Sequence, residues 1–258
     1  MSKAVQPFSA AGLEQFARDG YVIVRSIAAP ETVSRMLELA RHHLDAHAAP
    51  LEYEADLSYP GAPPSREAPG GRTVRRLLQA YARNRLFREW ATSDAVRERL
   101  EALLGPEIEL SQAHHNCIMT KSPRYSSATG WHQDIRYWAF ERPELVSLWL
   151  ALGPERRENG CLLLLPGTHR MRFAHDRLDA AKFLRTNLDE NRALLATEVA
   201  AELDPGDVLF FHCRLFHAAG QNQTQSTKYS LVFTYHAAGN RPLAGTRSSA
   251  LPDIALKA

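Results

Sequence analysis

A chain of 258 residues with 45% hydrophobic and 23% charged content can bury one substantial core without dividing into separate units. A formal net charge of +2 is too small for a nucleic-acid footprint. Cys117, Cys161 and Cys213 are scattered with no C-x-x-C pair, which argues against a disulfide framework or a zinc knuckle and suits a reducing compartment.

In chain order, Ser9 reads as the N-cap of a short helix carrying Leu13 and Phe16 and ending at Gly20, followed by a strand at Tyr21 to Val24. Pro30 opens a second helix whose apolar stripe is Val33, Met36, Leu37 and Ala40. Residues 50–73, punctuated by Pro60, Pro63, Pro64, Pro69, Gly61, Gly70 and Gly71, read as a long loop. Two more helices are expected between Thr73 and Leu104, with Leu77, Leu78, Tyr81, Phe87, Val96, Leu100 and Leu103 as core positions. After Gly105 the pattern changes to strands at 108–119, 145–152, 161–165, 208–212 and 229–235, several of them separated by turns such as Pro166-Gly167 and Pro205-Gly206. Residues 168–200 read as an insertion of helical character. The expectation is one mainly β domain: a helical layer over 9–105, an antiparallel barrel or jelly roll of cupin type over 106–236, and a tail over 237–258. The N-terminus has no apolar leader pattern and no apolar run approaches the ~18 residues of a membrane span, so a cytoplasmic protein is expected.

The most informative feature is His132-Gln133-Asp134, answered far down the chain by His217. Two imidazoles and one carboxylate can hold one face of an Fe(II) ion and leave the opposite positions open. On a strand, residues i and i+2 share a side, so His132 and Asp134 are expected to reach one metal while Gln133 faces away. An H-x-D recurs by chance in a chain with eleven histidines, and zinc could use the same three ligands for hydrolysis. Other histidines compete less well. His114 and His115 are adjacent, so only one is expected to face inward; His212 should project away from His217, and His169, His175 and His236 lack a carboxylate at ligand spacing.

Five ordered motifs carry a resemblance: H-Q-D at 132–134, E-N-G-C-L at 158–162, L-P-G-T-H-R at 165–170, P-G-D-V-L-F-F-H at 205–212 and H-A-A-G-Q-N at 217–222. Over about residues 10–236 the chain resembles the phytanoyl-CoA dioxygenase family of Fe(II)- and 2-oxoglutarate-dependent oxygenases, built on a double-stranded β-helix. The resemblance implies that His132, Asp134 and His217 ligate iron, with 2-oxoglutarate and O2 as co-substrates for hydroxylation of a C–H bond. It also implies that Lys228 stands where the family usually has an arginine for the distal carboxylate of 2-oxoglutarate. Lysine offers a point charge without the planar fork, so Ser230 or Thr120 is expected to complete that site. Trp149 and Arg76 match further co-substrate positions, and Ala219 replaces a frequent serine.

The substrate side is read from residues near the motif. The cavity mouth is expected from residues 50–76, 112–138 and the tail after His236, where Arg66, Arg72, Arg75, Arg76, Lys121, Arg124 and Arg136 suit a carboxylate or phosphate; Asn116 adds a polar contact, and Tyr137 and Trp138 add flat surfaces. Residues 51–56 and 131–144 look similar to bacterial enzymes that hydroxylate the 3-deoxy-octulosonic acid (Kdo) sugar of lipopolysaccharide. That likeness implies an anionic, lipid-linked sugar as substrate and peripheral contact with the inner membrane. A small secondary metabolite or an acyl-CoA is the alternative.

Overall fold

A computed structural model describes residues 8–57 and 59–257. Its strands are β1 (Tyr21–Val24), β2 (Leu51–Tyr53), β3 (Val74–Leu78), β4 (Ile108–Lys121), β5 (Thr129–His132), β6 (Leu145–Ala151), β7 (Leu162–Leu164), β8 (Val199–Ala201), β9 (Val208–His212), β10 (His217–Ala219), β11 (Lys228–Ala237) and β12 (Ile254–Ala255). The helices are α1 (Ala10–Asp19), α2 (Pro30–Asp45), α3 (Ala80–Arg83), α4 (Arg85–Ala91), α5 (Asp94–Leu104) and α6 (Asp189–Leu195). A large antiparallel sheet runs β1-β9-β6-β11-β4-β3-β2, with β12 added beside β4, and a small sheet runs β5-β10-β7-β8. The pair forms a mainly β jelly roll with helices on its outer face.

The central strands are apolar on both faces because both faces are covered. Val146, Leu148 and Leu150 of β6, with Leu231, Phe233 and Tyr235 of β11, meet Val33, Met36, Phe87 and Leu100 of the helices. The alternate residues Trp149, Ala151 and Val232 point between the sheets and join Leu162, Leu164, Leu209 and Phe211. Each large apolar side chain so buried contributes about 1.5–3 kcal/mol. The helices start and stop where their caps allow: the Ser9 hydroxyl accepts from the Gly12 N–H at 3.1 Å, Gly20 ends α1 at φ 83°, and Pro30 occupies the first turn of α2.

The structure departs from the sequence reading in five places. Val74–Leu78 is a strand, because the free edge of β4 pairs Arg76, Leu77 and Leu78 with Met119, Ile118 and Cys117 and buries Leu77 completely. Tertiary pairing there outweighs the helical preference of Arg and Leu. The loop at 50–73 contains β2 and a 3-10 turn at Glu54–Asp56, and the insertion at 168–200 is mostly turns around the short α6 and β8. His132 ends β5 while Asp134 opens a 3-10 turn, so strand alternation does not bring them together. Finally, β4 and β11 lose register between Phe233, opposite Asn116, and Thr234, opposite Ser111. The residues of β4 displaced by this irregularity include His114 and His115, and both imidazoles reach the same cavity.

Candidate metal centre and its cavity

His132 and His217 are cross-strand partners in the small sheet. Their rings lie 4.3 Å apart between centroids, and each Nε2 sits 3.7 or 3.6 Å from Asp134 Oδ1. All three residues are buried, and their ligand atoms fall within 4.8 Å of one another. The other ring nitrogen of each histidine is engaged by backbone: His132 Nδ1 meets Gly130 O at 2.8 Å and His217 Nδ1 meets Leu215 O at 3.0 Å. A carbonyl can only accept, so both Nδ1 atoms carry the proton and both Nε2 lone pairs face Asp134. This donor set fits a divalent metal.

Electrostatics agree. Burial, reinforced by His217, holds His132 well below the usual histidine range and therefore neutral. Burial pushes the Asp134 carboxyl upward, but His115, His217, His132 and Arg76 together pull it below its ordinary value. Ser147, fully buried on β6, donates its hydroxyl to Asp134 Oδ2 at 3.4 Å. The loop bearing Asp134 is fastened to the strand segment before His217: Gln133 Nε2 donates to Arg214 O, and Ile135 N donates to Cys213 O at 3.0 Å. On the other side, the Phe216 N–H donates to Thr168 Oγ1 at 2.9 Å and the Leu165 N–H to Phe216 O at 2.9 Å, so the L-P-G-T-H turn braces His217.

The triad opens into a cavity of about 1100 Å³ including its mouth, lined among others by Arg75, Arg76, Thr120, Lys121, Tyr137, Trp149 and Lys228. All four positions expected to contact 2-oxoglutarate therefore face the cavity. Three of them are already engaged with protein groups. Lys228 Nζ pairs with Glu155 Oε2 at 3.0 Å, Trp149 Nε1 donates to Glu155 Oε1 at 2.8 Å, and the Thr120 hydroxyl donates to Val74 O at 2.6 Å. Ser230, expected to assist Lys228, donates to Glu155 Oε1 at 2.6 Å. The fourth, Arg76, lies 3.3 Å from Glu52.

Among the positions expected on the substrate side, Arg75, Arg76, Lys121, Tyr137 and Trp138 line the cavity, whereas Arg66, Arg72, Asn116, Arg124 and Arg136 do not. Arg72 and Arg124 are exposed on loops. Arg136 stacks its guanidinium over Phe183, 3.7 Å from the ring centroid, and over Tyr137 at 4.3 Å. Asn116 is buried and its amide oxygen accepts from the Tyr81 N–H at 2.8 Å. His212 packs against Phe16 and His169, away from the metal ligands.

Residues 16–230 match the model of the family described as Phytanoyl-CoA dioxygenase (PhyH). The chain belongs to the phytanoyl-CoA dioxygenase family. It is 30% identical over 178 residues to the human peroxisomal phytanoyl-CoA dioxygenase, covering 65% of this chain and 50% of that protein. It is 26% identical over 252 residues to the ectoine dioxygenase of Sphingopyxis alaskensis, covering 91% of this chain and 78% of the relative. The chain thus spans about half the length of the phytanoyl-CoA dioxygenases it matches. The fold is shared with the crystal structure of EctD from S. alaskensis with 2-oxoglutarate and 5-hydroxyectoine, at TM-score 0.77 and 22% identity over 94% of this chain and 81% of that one. It is also shared with the epimerase SnoN from nogalamycin biosynthesis, at TM-score 0.70 and 21% identity over 88% and 82%.

Several residues of this site had no sequence signal. Glu155 sits in a stretch of charged residues, and nothing local marks it as fully buried. Glu54, Ser127 and Thr129 form a second buried polar group around Arg75, itself one of the arginines expected at the cavity mouth: Arg75 donates to Ser127 Oγ at 2.8 Å and Thr129 Oγ1 at 3.1 Å, and Ser127 donates to Glu54 at 2.6 Å. His115 Nε2 lies 3.6 Å from Asp134 Oδ1, a contact created by the irregularity in β4.

Proposed function

We propose that the protein is an Fe(II)- and 2-oxoglutarate-dependent dioxygenase that hydroxylates a C–H bond of an anionic substrate. The observation that carries this reading is the buried His132–Asp134–His217 group, with both Nε2 lone pairs aimed at one point in a chain of this family. When bound, iron with 2-oxoglutarate supplies the oxidising chemistry. The chain's own part is to fix the three ligands, to bound a cavity with cationic groups, and to limit water around the reacting atoms. Tyr59 and Tyr137, joined by a 2.9 Å contact between their hydroxyls, stand at the lining with Trp138 and offer flat surfaces for a ring or sugar. A hydrolase on the same triad would need a free carboxylate as general base. Glu52, Glu54 and Glu155 are instead each paired with Arg75, Arg76 or Lys228.

Within that class, the substrate we propose is the Kdo sugar of lipopolysaccharide. Support comes from the likeness of residues 51–56 and 131–144 to such hydroxylases and from the cations Arg75, Arg76, Lys121, Lys228 and Arg247 around the cavity. A lipid-linked substrate would bring the protein to the inner face of the membrane as a peripheral visitor; among the described residues no helix is long and apolar enough to cross one. The test is anaerobic reconstitution with Fe(II) and 2-oxoglutarate, read by the visible metal-to-ligand charge-transfer band. The band is expected in the wild type and absent in Asp134→Ala and His217→Ala. Folded, metal-loaded wild type without it would overturn the cofactor assignment. Incubation with Kdo-lipid A should then add the mass of one oxygen, and no product from it would move the search to small anionic metabolites and acyl-CoA.

A further inference from the structure

Lys121 and Lys228 are directly opposite one another on β4 and β11, both buried and both lining the cavity. Like charges facing across an antiparallel pair repel, and burial makes the repulsion worse. The fold compensates only one of them. Glu155, fully buried, receives Lys228 at 3.0 Å on one oxygen and Ser230 and Trp149 at 2.6 and 2.8 Å on the other. That carboxylate already holds the lysine, the hydroxyl and the indole N–H that a bound dicarboxylate would otherwise use.

Lys121 has no such partner. Its one hydrogen bond runs to Ser127 O at 2.8 Å, and no carboxylate among the described residues forms an ion pair with it. An ammonium has three donors, so two remain for a ligand. Its position is closely set. Asn222 Nδ2 donates to Lys121 O at 2.7 Å. The aliphatic stem crosses Gly160, where an added Cβ would come within 2.8 Å of Lys121 Cδ. Arg75 and Arg76, the neighbouring cations, are paired with Glu52 and Glu54.

We propose that Lys121, and not Lys228, supplies the cation that receives the distal carboxylate of the 2-oxo dicarboxylate co-substrate, while Lys228 is held as the internal counter-ion of Glu155. This rests on the co-substrate reading above and reassigns a residue that sequence placed on the substrate side.

The test is calorimetric binding to the metal-loaded protein under anaerobic conditions. Two ligands are compared: 2-oxoglutarate and 2-oxopentanoate, which keeps the chelating head and chain length but lacks the distal carboxylate. Lys121→Met should weaken 2-oxoglutarate by about 10- to 100-fold, the loss of a charge-assisted hydrogen bond, and leave 2-oxopentanoate within about threefold. The double variant Lys228→Met/Glu155→Gln, which removes both buried charges together, should keep 2-oxoglutarate within about threefold of wild type. Undiminished 2-oxoglutarate binding in Lys121→Met, or selective loss in the double variant, would overturn the assignment in favour of Lys228. A defect in Lys121→Met confined to the oxidised substrate would overturn it in favour of a substrate carboxylate. Wild type that binds neither 2-oxo acid and shows no charge-transfer band would overturn the co-substrate reading itself.

Discussion

Replacing Lys228 with methionine should unfold the protein at a markedly lower temperature, and the reason lies in Glu155. The carboxylate is fully buried, and among the described residues Lys228 Nζ at 3.0 Å is its only charged partner. Methionine fills nearly the same volume, so the packing loss is small and the electrostatic loss dominates. Breaking a buried pair by removing one partner costs about 3–5 kcal/mol, because the remaining ion is left uncompensated. Ser230 and Trp149 still donate to Glu155 in the variant, which puts the expected cost near the lower end, about 3 kcal/mol. For a chain of this size that corresponds to a fall in Tm of roughly 6–12 °C. Glu155→Gln alone should also destabilise, by leaving a buried ammonium, whereas the double variant should recover most of the loss. Scanning calorimetry of all four proteins, metal-loaded and without co-substrate, gives the coupling between the two sites. Additive losses in the double variant, or a Lys228→Met protein that melts with wild type, would refute the view that Lys228 serves Glu155.

Three further outcomes are expected. Thr168→Val removes the acceptor of the buried Phe216 N–H, so it should cost about 1–3 kcal/mol and weaken metal binding through His217, read by melting and by metal titration. Gly160→Ala places a Cβ 2.6 Å from Gly220 O and 2.8 Å from Lys121 Cδ at φ 78°, so both stability and 2-oxoglutarate affinity should fall; unchanged affinity would dissociate Gly160 from the lysine. Burial, with Arg75 and Lys228 adding and Glu54 and Glu155 opposing, pushes the Lys121 ammonium down to about 7. The unfolded chain then binds more protons above that value, so ligand-free stability should gain a component that rises from pH ~7 towards ~10, and this component should vanish in Lys121→Met when Tm is followed against pH.

The clustering of His132, Asp134 and His217 was legible in the sequence because its signal is local at one end and motif-borne at the other. H-Q-D is compact, and the Pro205-Gly206 turn feeds a strand whose return leads to His217. The turn glycine has a physical basis: at φ 93°, a Cβ on Gly206 would meet Ala28 O at 2.7 Å. The barrel strands were legible because central strands are unbroken apolar runs. Val74–Leu78 was not, since Arg-Arg-Leu-Leu favours a helix and only the waiting edge of β4 makes it a strand. The geometry of Asp134 was not either, as its 3-10 turn replaces the alternation that an H-x-D suggests on a strand. Charge pairing was the least legible layer. Glu155 reaches Lys228 across 73 residues and Glu54 reaches Ser127 across the same separation, so no window of sequence shows which cations are compensated. The arginines near the motif divide in a way no window of sequence shows either: Arg75 and Arg76 line the cavity, Arg136 is stacked on aromatic rings, and Arg72 and Arg124 are exposed.

Charge balance connects these observations to the ligand the cavity is built to hold. Inside the mouth, Arg75, Arg76 and Lys228 are paired with Glu52, Glu54 and Glu155, which leaves Lys121 and Arg247 as the lining cations without an ion pair among the described residues. At the other end, a divalent ion held by Asp134, His132 and His217 would carry a surplus of one positive charge. On the proposed reading, a dianion with one carboxylate at each end would neutralise the metal centre and Lys121, and a monoanionic 2-oxo acid would leave Lys121 unpaired in a buried site. Discrimination for a dicarboxylate then follows from the penalty of an unsatisfied cation as much as from attraction, which is how a site built around buried charge rejects the analogue that lacks the matching group. Had Glu155 been absent, the two facing lysines would have shared one ligand carboxylate. On the proposed assignment, the carboxylate that occupies Lys228 leaves Lys121 to receive that ligand.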